Sequence, residues 1–280
     1  MSLFSISFAD ATVGITGADD RALEFLSFLF SDIPGIGDDD EIAYTLSLTY
    51  DPDTNTHRFS DGSRTIHRGE LNAGFAAHVY DHVIYHLLDH ADNGIALHAG
   101  AVAANGRVII LPGISGAGKS SLTAWLTSRG CSYQSDELIY ISATAADMVF
   151  YFSRPICLKA GSVPLLAELT GSVAPQPVLI DNFGAVVPHR LVNPEFFAVQ
   201  NAPDIILFPD FQPTAEPRLE PIGAARATTM LMGCLVNARN LEQHGFRQII
   251  RLAESTTAFR LSYRSFEDAA TCLSPLFAAA

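Results

Sequence analysis

Gly113-Ile114-Ser115-Gly116-Ala117-Gly118-Lys119-Ser120 lies between the apolar run Val108-Ile109-Ile110-Leu111 and a helical pattern through Leu122, Trp125 and Leu126. The stretch fits G-x-x-x-x-G-K-[ST], and it sits in the strand, loop and helix order that the chemistry of that motif requires. Gly113, Gly116 and Gly118 give the backbone conformations closed to residues with a Cβ, so successive N–H groups turn inward as an anion nest. Lys119 then reaches the β- and γ-phosphates of a nucleoside triphosphate, and the Ser120 hydroxyl is a ligand for Mg²⁺. The positive end of the helix dipole faces the same anion. The residues expected to hold ATP are Gly113, Ser115, Gly116, Ala117, Gly118, Lys119, Ser120 and Ser121. A Gly/Ser-rich connector that binds nothing would not need both flanks.

The rest of the chain limits what the triphosphate is used for. With 280 residues, 48% of them hydrophobic and 17% charged, the chain is long enough for one large domain or two ordinary ones, each with a core. A formal charge of −13 and a pI near 5.0 exclude nucleic acid as the main partner, because a phosphate backbone needs a basic surface. Cys131, Cys157, Cys234 and Cys272 are widely spaced with no C-x-x-C pair, which reads as reduced thiols in a cytoplasmic protein. No apolar run approaches the length of a membrane span, and the N-terminus lacks the pattern of a secretory signal. A soluble protein with no membrane partner is the expectation.

Ahead of the loop, Leu3 to Phe8 and Ile42 to Tyr50 alternate as strands, and Ala22, Phe25, Leu26, Leu29 and Phe30 follow helical spacing before Pro34. Residues 34 to 40 read as a solvated acidic turn without the spaced ligands of a calcium loop, and residues 57 to 67 as a hairpin around Asp61-Gly62. Residues 1–93 thus read as an α+β unit with a soft boundary and no recognised catalytic motif. In the helix from Asn72 to Ala91, His78, His82, His86 and His90 recur every four residues and stack along one stripe. A line of imidazoles on one helix is not a metal cage, so the pattern favours a half-buried helix face over a metal site.

Residues 94–280 hold the loop. Ile95 to Val102 is a strand joined by Asn105-Gly106 to the strand before the loop, which makes His98 a neighbour of the phosphate site. Taken alone, that histidine reads as a hydrogen-bonded core residue. After the helix, ended by Gly130, comes Ser135-Asp136-Glu137 at the edge of the strand Leu138 to Ile141. Two carboxylates there are where a Mg²⁺ ligand and a general base are wanted, and strand alternation lets only one of them act directly. Met148 to Phe152 reads as a strand. Arg154 and Lys159 are candidates for phosphate or substrate contacts, standing against a plain solvated surface. Residues 172 to 203 read as loop-rich, suited to a lid. A buried strand follows at Asp204 to Pro209, then helices over 222 to 236 and 240 to 254, a strand at 258 to 263 and a last helix from Phe266.

Leu97-His98-Ala99-Gly100, the glycine loop through Ser121, and Ser135-Asp136-Glu137 together resemble the C-terminal catalytic domain of HPr kinase/phosphorylase. The similarity is to the subgroup of HPr kinase-related serine kinases, with Arg154-Pro155 to Lys159 and Ile205 to Pro209 in matching order, over about residues 94 to 275. The resemblance implies a P-loop domain of the phosphoenolpyruvate-carboxykinase-like type, α/β with a mixed, largely antiparallel sheet. Sequence alone suggests a parallel one. It implies that Asp136 is the base that activates a serine hydroxyl, that Glu137 lies near Mg²⁺, that His98 stands beside the phosphate loop, and that the chain self-associates. Phe152 to Leu158 replaces the glutamate-containing signature of the parent enzymes, and their later arginine loop has no counterpart, so reverse phosphorolysis is not implied. Residues 1–93 do not resemble the parent N-terminal domain, so the acceptor implied is another peptide or protein with a serine hydroxyl.

The first expectation is therefore an ATP- and Mg²⁺-dependent kinase, with Asp136, Lys119 and His98 as its catalytic residues and Ser120, Glu137 and Asp136 as metal ligands. A nucleotide-binding module that hydrolyses slowly or not at all, and a small-molecule kinase, are the alternatives.

Overall fold

The alternating segments at the start of the chain pair into one sheet. In the computed structural model, which describes residues 2–17, 19–33, 41–143, 148–171 and 178–277, β1 (Ser2–Phe8), β2 (Ala11–Gly17), β3 (Tyr44–Asp51), β4 (Thr56–Asp61) and β5 (Arg64–Gly69) lie in sequence order. Neighbours are antiparallel except β2 and β3, whose parallel join needs a crossover. That crossover contains α1 (Asp20–Phe30), capped by the Asp19 carboxylate accepting from the Ala22 N–H at 2.8 Å. Ile6, Ile15, Leu46, Leu48 and Phe59 of the sheet are buried, as are Phe25 and Leu29 of α1 and Phe75, Val79 and Val83 of α2 (Ala73–Leu88). The acidic turn read at 34 to 40 falls outside the described residues.

The histidine stripe of α2 is spent on this sheet. His78 stacks on His67 of β5 at 4.2 Å, His82 meets Phe59 edge-on at 6.1 Å, and His86 stacks on Tyr44 of β3 at 3.5 Å, its Nε2 3.7 Å from Asp61. His90, past the helix end, is 90% exposed. Among the described residues no three His, Cys, Asp or Glu side chains converge on a metal position. Burial, then the neighbouring His78, holds His67 below the usual imidazole range, and burial does the same for His86 against the opposing pull of Asp61 and Asp89. Because the unfolded chain then binds protons more readily than the folded one, stability is full above about pH 6.5 and falls as the pH drops from there toward the lowered folded values. Denaturant titrations at pH 7.5 and 5.5 should show lower stability at 5.5. His67→Gln should shrink that difference, and an unchanged difference would show that the pair does not set it.

The next elements build a second sheet. β6 (Gly94–Ala104) and β7 (Arg107–Pro112) form a hairpin through Asn105 and Gly106, at φ +51° and +74°, the left-handed pair that a two-residue turn demands. α3 (Lys119–Ser128), β8 (Ser132–Ser135), β9 (Leu138–Ser142) and β10 (Val149–Tyr151) follow, then β11 (Ile156–Lys159), α4 (Leu166–Thr170), β12 (Leu179–Asp181), β13 (Gly184–Val187) and α5 (His189–Val192). The chain closes with β14 (Ile205–Phe211), β15 (Arg218–Ile222), α6 (Ala224–Met232), α7 (Phe246–Ser255), β16 (Thr257–Tyr263) and α8 (Phe266–Phe277). Among the described residues the sheet has eight strands, ordered β10-β9-β6-β7-β14-β16-β15 with β8 also on β6. β7, β14 and β16 are parallel and the other pairings antiparallel. The sheet is mixed, not the parallel sheet that the sequence alone suggests. Ala99, Ala101, Val108, Ile110 and Ile206 pack on one face with Leu231 of α6 and Ile249 and Leu252 of α7. On the other face Gly100 admits Thr123 of α3, whose Oγ1 stands 2.3 Å from where a Cβ would be. No helix among the described residues is long and apolar enough to cross a membrane, and the cysteines form no disulfide there.

The chain divides into two compact units, the first from the described residues of Met1–Ala91, Ser153–Pro164 and Ala174–Pro188, the second from those of Asp92–Phe152, Leu165–Val173 and His189–Ala280. The division near residue 93 is thus a crossing point, and residues 94–280 are shared between the two units where the motif order alone suggests a single kinase domain. β11, β13 and β12 make a three-stranded sheet that packs on α2, where the Gly74 N–H donates to Asp181 Oδ2 at 2.7 Å. The stretch from 172 to 203, read as loop, holds two of those strands and α5; residues 172–177 lie outside the described ones.

Candidate functional site

The loop between β7 and α3 has the backbone its sequence requires, though its glycines serve different ends. Gly116 and Gly118 sit at φ +90° and +95°, the left-handed region that residues with a Cβ avoid. Gly113 does not. There the constraint is space, since a Cβ would come 3.3 Å from the Ala117 Cβ and 3.5 Å from Lys119 Cγ. Gly118 is constrained twice, because its Cβ would also lie 2.4 Å from the Tyr263 hydroxyl and 3.2 Å from the Phe211 Cβ. It stands at the N-cap of α3 and offers no side chain to the first-turn N–H groups. Lys119 is 6% exposed, and its Nζ donates to the carbonyls of Gly113 at 2.7 Å and Ile114 at 3.2 Å, so the ammonium lies under the loop. Ser115 is exposed, and Ser120 and Ser121 are half-buried in the first turn of α3.

Strand β6 brings His98 to the same place. Ala99 pairs with Pro112, the last residue of β7, which sets His98 at the start of the loop. Side chains alternate along a strand, so His98 shares the face of Gly100, the α3 face. Its N–H donates to the Cys234 carbonyl at 2.8 Å, and the Ala99 N–H to the Glu137 carbonyl at 3.1 Å. The imidazole Nε2 lies 3.4 Å from Glu137 Oε1, with the two side chains 32% and 33% exposed.

Asp136, next in sequence to Glu137, has different surroundings. It is 0% exposed, and the Tyr133 hydroxyl donates to its Oδ1 at 3.2 Å. The separation is made by Ser135, whose hydroxyl accepts from the N–H groups of Glu137 and Leu138 at 3.2 and 3.1 Å and donates to the Leu138 carbonyl at 3.0 Å. This tight turn between β8 and β9 sends one carboxylate inward and leaves the other beside His98. Alternation predicts that only one can act directly; the one that keeps surface is the half-buried Glu137. The assignment of Asp136 as the base meets a side chain with no surface of its own.

Arg154 and Lys159 belong to the first unit, whereas the loop, His98, Asp136 and Glu137 belong to the second. Arg154 is 5% exposed, its guanidinium 4.5 Å over the Tyr80 ring and its Nη1 3.0 Å from Cys157 Sγ. It is a core cation of its own unit. Lys159 is exposed at the end of β11. Sequence reasoning also missed four residues. Cys234 holds the His98 N–H, and its thiol is pushed up by burial against the lowering effects of the Lys119 charge and the Gly113 N–H. Tyr133 orients Asp136 and stacks on His189 at 4.6 Å. Tyr263 and Phe211 wall the loop at Gly118. Position 234 carries no local signal, whereas Phe211 and Tyr263 could have been found as aromatics at the ends of parallel strands.

A glycine loop that leads into an uncapped helix N-terminus, with an ammonium against it, is an arrangement that can hold an anion. A carboxylate and an imidazole beside it can take a proton, and Ser120 and Glu137 carry oxygens of the kind a hard divalent cation takes, whereas Asp136, expected as a third ligand, is buried against Tyr133 with no surface for one. No family model and no curated protein matches this sequence. Among solved structures, the chain has a distant similarity to the HPr(Ser) kinase/phosphatase from Coxiella burnetii, at 10% identity and a TM-score of 0.27, over 65% of this chain and 90% of that one.

Proposed function

We propose that the chain is an ATP-dependent kinase that transfers the γ-phosphate to a hydroxyl, serine in a peptide or protein. The observation that carries this reading is the juxtaposition of the loop with its left-handed Gly116 and Gly118, the α3 N-terminus that lacks a side-chain cap, and the half-buried His98–Glu137 pair one β-pairing away. A triphosphate fits the residues present, since the α3 N-terminus has no side-chain cap and the Lys119 ammonium lies at the loop. The loop N–H groups and Lys119 hold the phosphates and meet the charge that develops on the transferred group, which is positioning and electrostatics rather than covalent chemistry. Ser120 and Glu137 are the residues that would hold Mg²⁺, which when bound supplies positive charge to the phosphate oxygens; the buried Asp136 does not fit as a ligand.

Glu137 takes the proton of the acceptor hydroxyl, because a base must lie within hydrogen-bond reach of the proton it removes and Glu137 is the carboxylate with surface. His98, its Nε2 3.4 Å from Oε1, orients that carboxylate. Asp136, locked by Tyr133, positions the turn that carries Glu137. The burial of Asp136 also favours a second reading, a module that binds nucleotide without transferring it.

Incubation with γ-labelled ATP, Mg²⁺ and the products of neighbouring genes separates the two. Label should appear on a serine hydroxyl and be absent with Lys119→Ala. ATP binding with no label on any acceptor would leave the second reading.

A further inference from the structure

The geometry points to Phe211 as the platform on which the base of the nucleotide stacks, a role that rests on the triphosphate reading of the loop. Three strands of the second sheet run parallel, and their carboxyl ends lie side by side. β7 ends into the glycine loop, β14 ends at Phe211 and β16 at Tyr263, with Phe211 directly paired to Tyr263. In open α/β sheets ligands lie outside the carboxyl ends of the strands. A nucleotide with its phosphates at the end of β7 therefore has its base where β14 and β16 end.

Phe211 is fixed to the loop by its backbone. Its N–H donates to the Ala117 carbonyl at 3.3 Å, and its Cβ is within 3.2 Å of where a Gly118 Cβ would be. The ring meets Tyr263 edge-on, 5.5 Å between centroids at 63°, with Tyr263 1% exposed and Phe211 45% exposed. One aromatic is thus buried as a support and holds the other by an edge-to-face contact, which leaves ring surface open beside the phosphate loop. The carboxylate before it, Asp210, is compensated by Arg260 at 2.7 Å, so the platform does not set a bare negative charge near an anion. The Gln212 N–H, donating to the Tyr263 carbonyl at 3.0 Å, ties the two strand ends together. A rigid exposed ring of this kind accepts any nucleobase, because every base has a π-face.

Equilibrium binding of ATP and of inorganic tripolyphosphate to the full chain tests the assignment. Phe211→Ala should weaken ATP about tenfold, the range found for loss of one base–aromatic stack, and leave tripolyphosphate within about twofold. Phe211→Trp should restore ATP affinity, and its fluorescence should change with ATP but not with tripolyphosphate. Unchanged ATP affinity in Phe211→Ala would overturn the platform. So would an equal loss of both ligands, which would make Phe211 a support of the loop. Lys119→Ala separates the premise from the proposal. If it leaves tripolyphosphate binding intact, the phosphate reading of the loop fails, and the platform with it.

Discussion

Glu137→Gln should lower phosphoryl transfer by about 10²- to 10⁴-fold, the usual worth of a positioned general base, while nucleotide affinity stays within a few fold. The amide keeps the size and a hydrogen-bonding oxygen but cannot accept the proton. Asp136→Asn should act differently. Its side chain is buried under the Tyr133 hydroxyl, so the substitution disturbs the turn at Ser135 and should show as lost stability together with partial loss of transfer. Single-turnover transfer from γ-labelled ATP, measured beside denaturant unfolding for both variants, tells these apart. Full activity in Glu137→Gln would remove it as the base. Complete loss of transfer in Asp136→Asn at unchanged stability would return the role to Asp136, reached through a rearrangement of the turn.

Gly118→Ala should abolish tripolyphosphate binding and destabilise the chain by about 2–4 kcal/mol, from left-handed strain together with overpacking. The new Cβ would meet the Tyr263 hydroxyl at 2.4 Å, and Phe211 closes the other side. Gly116→Ala makes the internal comparison. That glycine has the same handedness, at φ +90°, but nothing within 4 Å of a Cβ, so only the strain of about 1 kcal/mol remains. Tyr263→Phe should recover part of the loss in Gly118→Ala, because the hydroxyl is the atom in the way. Equal effects at positions 116 and 118 would show that crowding by Tyr263 is not what makes Gly118 necessary.

The loop and its flanking elements were legible because the motif fixes spacing, residue type and backbone handedness within eight consecutive positions. His98 followed from one hairpin, since a two-residue turn at Asn105-Gly106 dictates what pairs with what on either side. The choice between Asp136 and Glu137 was not legible, because it depends on the side-chain bonds of Ser135 and on the Tyr133 hydroxyl, neither of which leaves a periodic trace. β2 was missed for a related reason. Ala11-Thr12-Val13-Gly14-Ile15-Thr16-Gly17 is almost wholly buried, Thr12 and Gly14 included, so its burial does not follow the alternation that marks a one-sided strand. The edge strand β15 holds Pro221, which spoils its pattern in the same way. Arg154 misled because a scarce cation in an acidic chain suggests a ligand contact, and only the packing shows its charge lying over Tyr80.

The return of Ser153–Pro164 and of residues 178–188 to the first unit sets the order in which the protein can be completed during synthesis. An N-terminal body usually closes as soon as it leaves the ribosome. Here α2 emerges without the strands β12 and β13 that pack on it, and β6 to β10 are made before those strands exist. The first half must wait, with part of its apolar surface open, until the chain has grown past Val187. A gene cut at the crossing near residue 93 would yield a first fragment without β11, β12 and β13, and a second that carries those strands without the α2 they pack on.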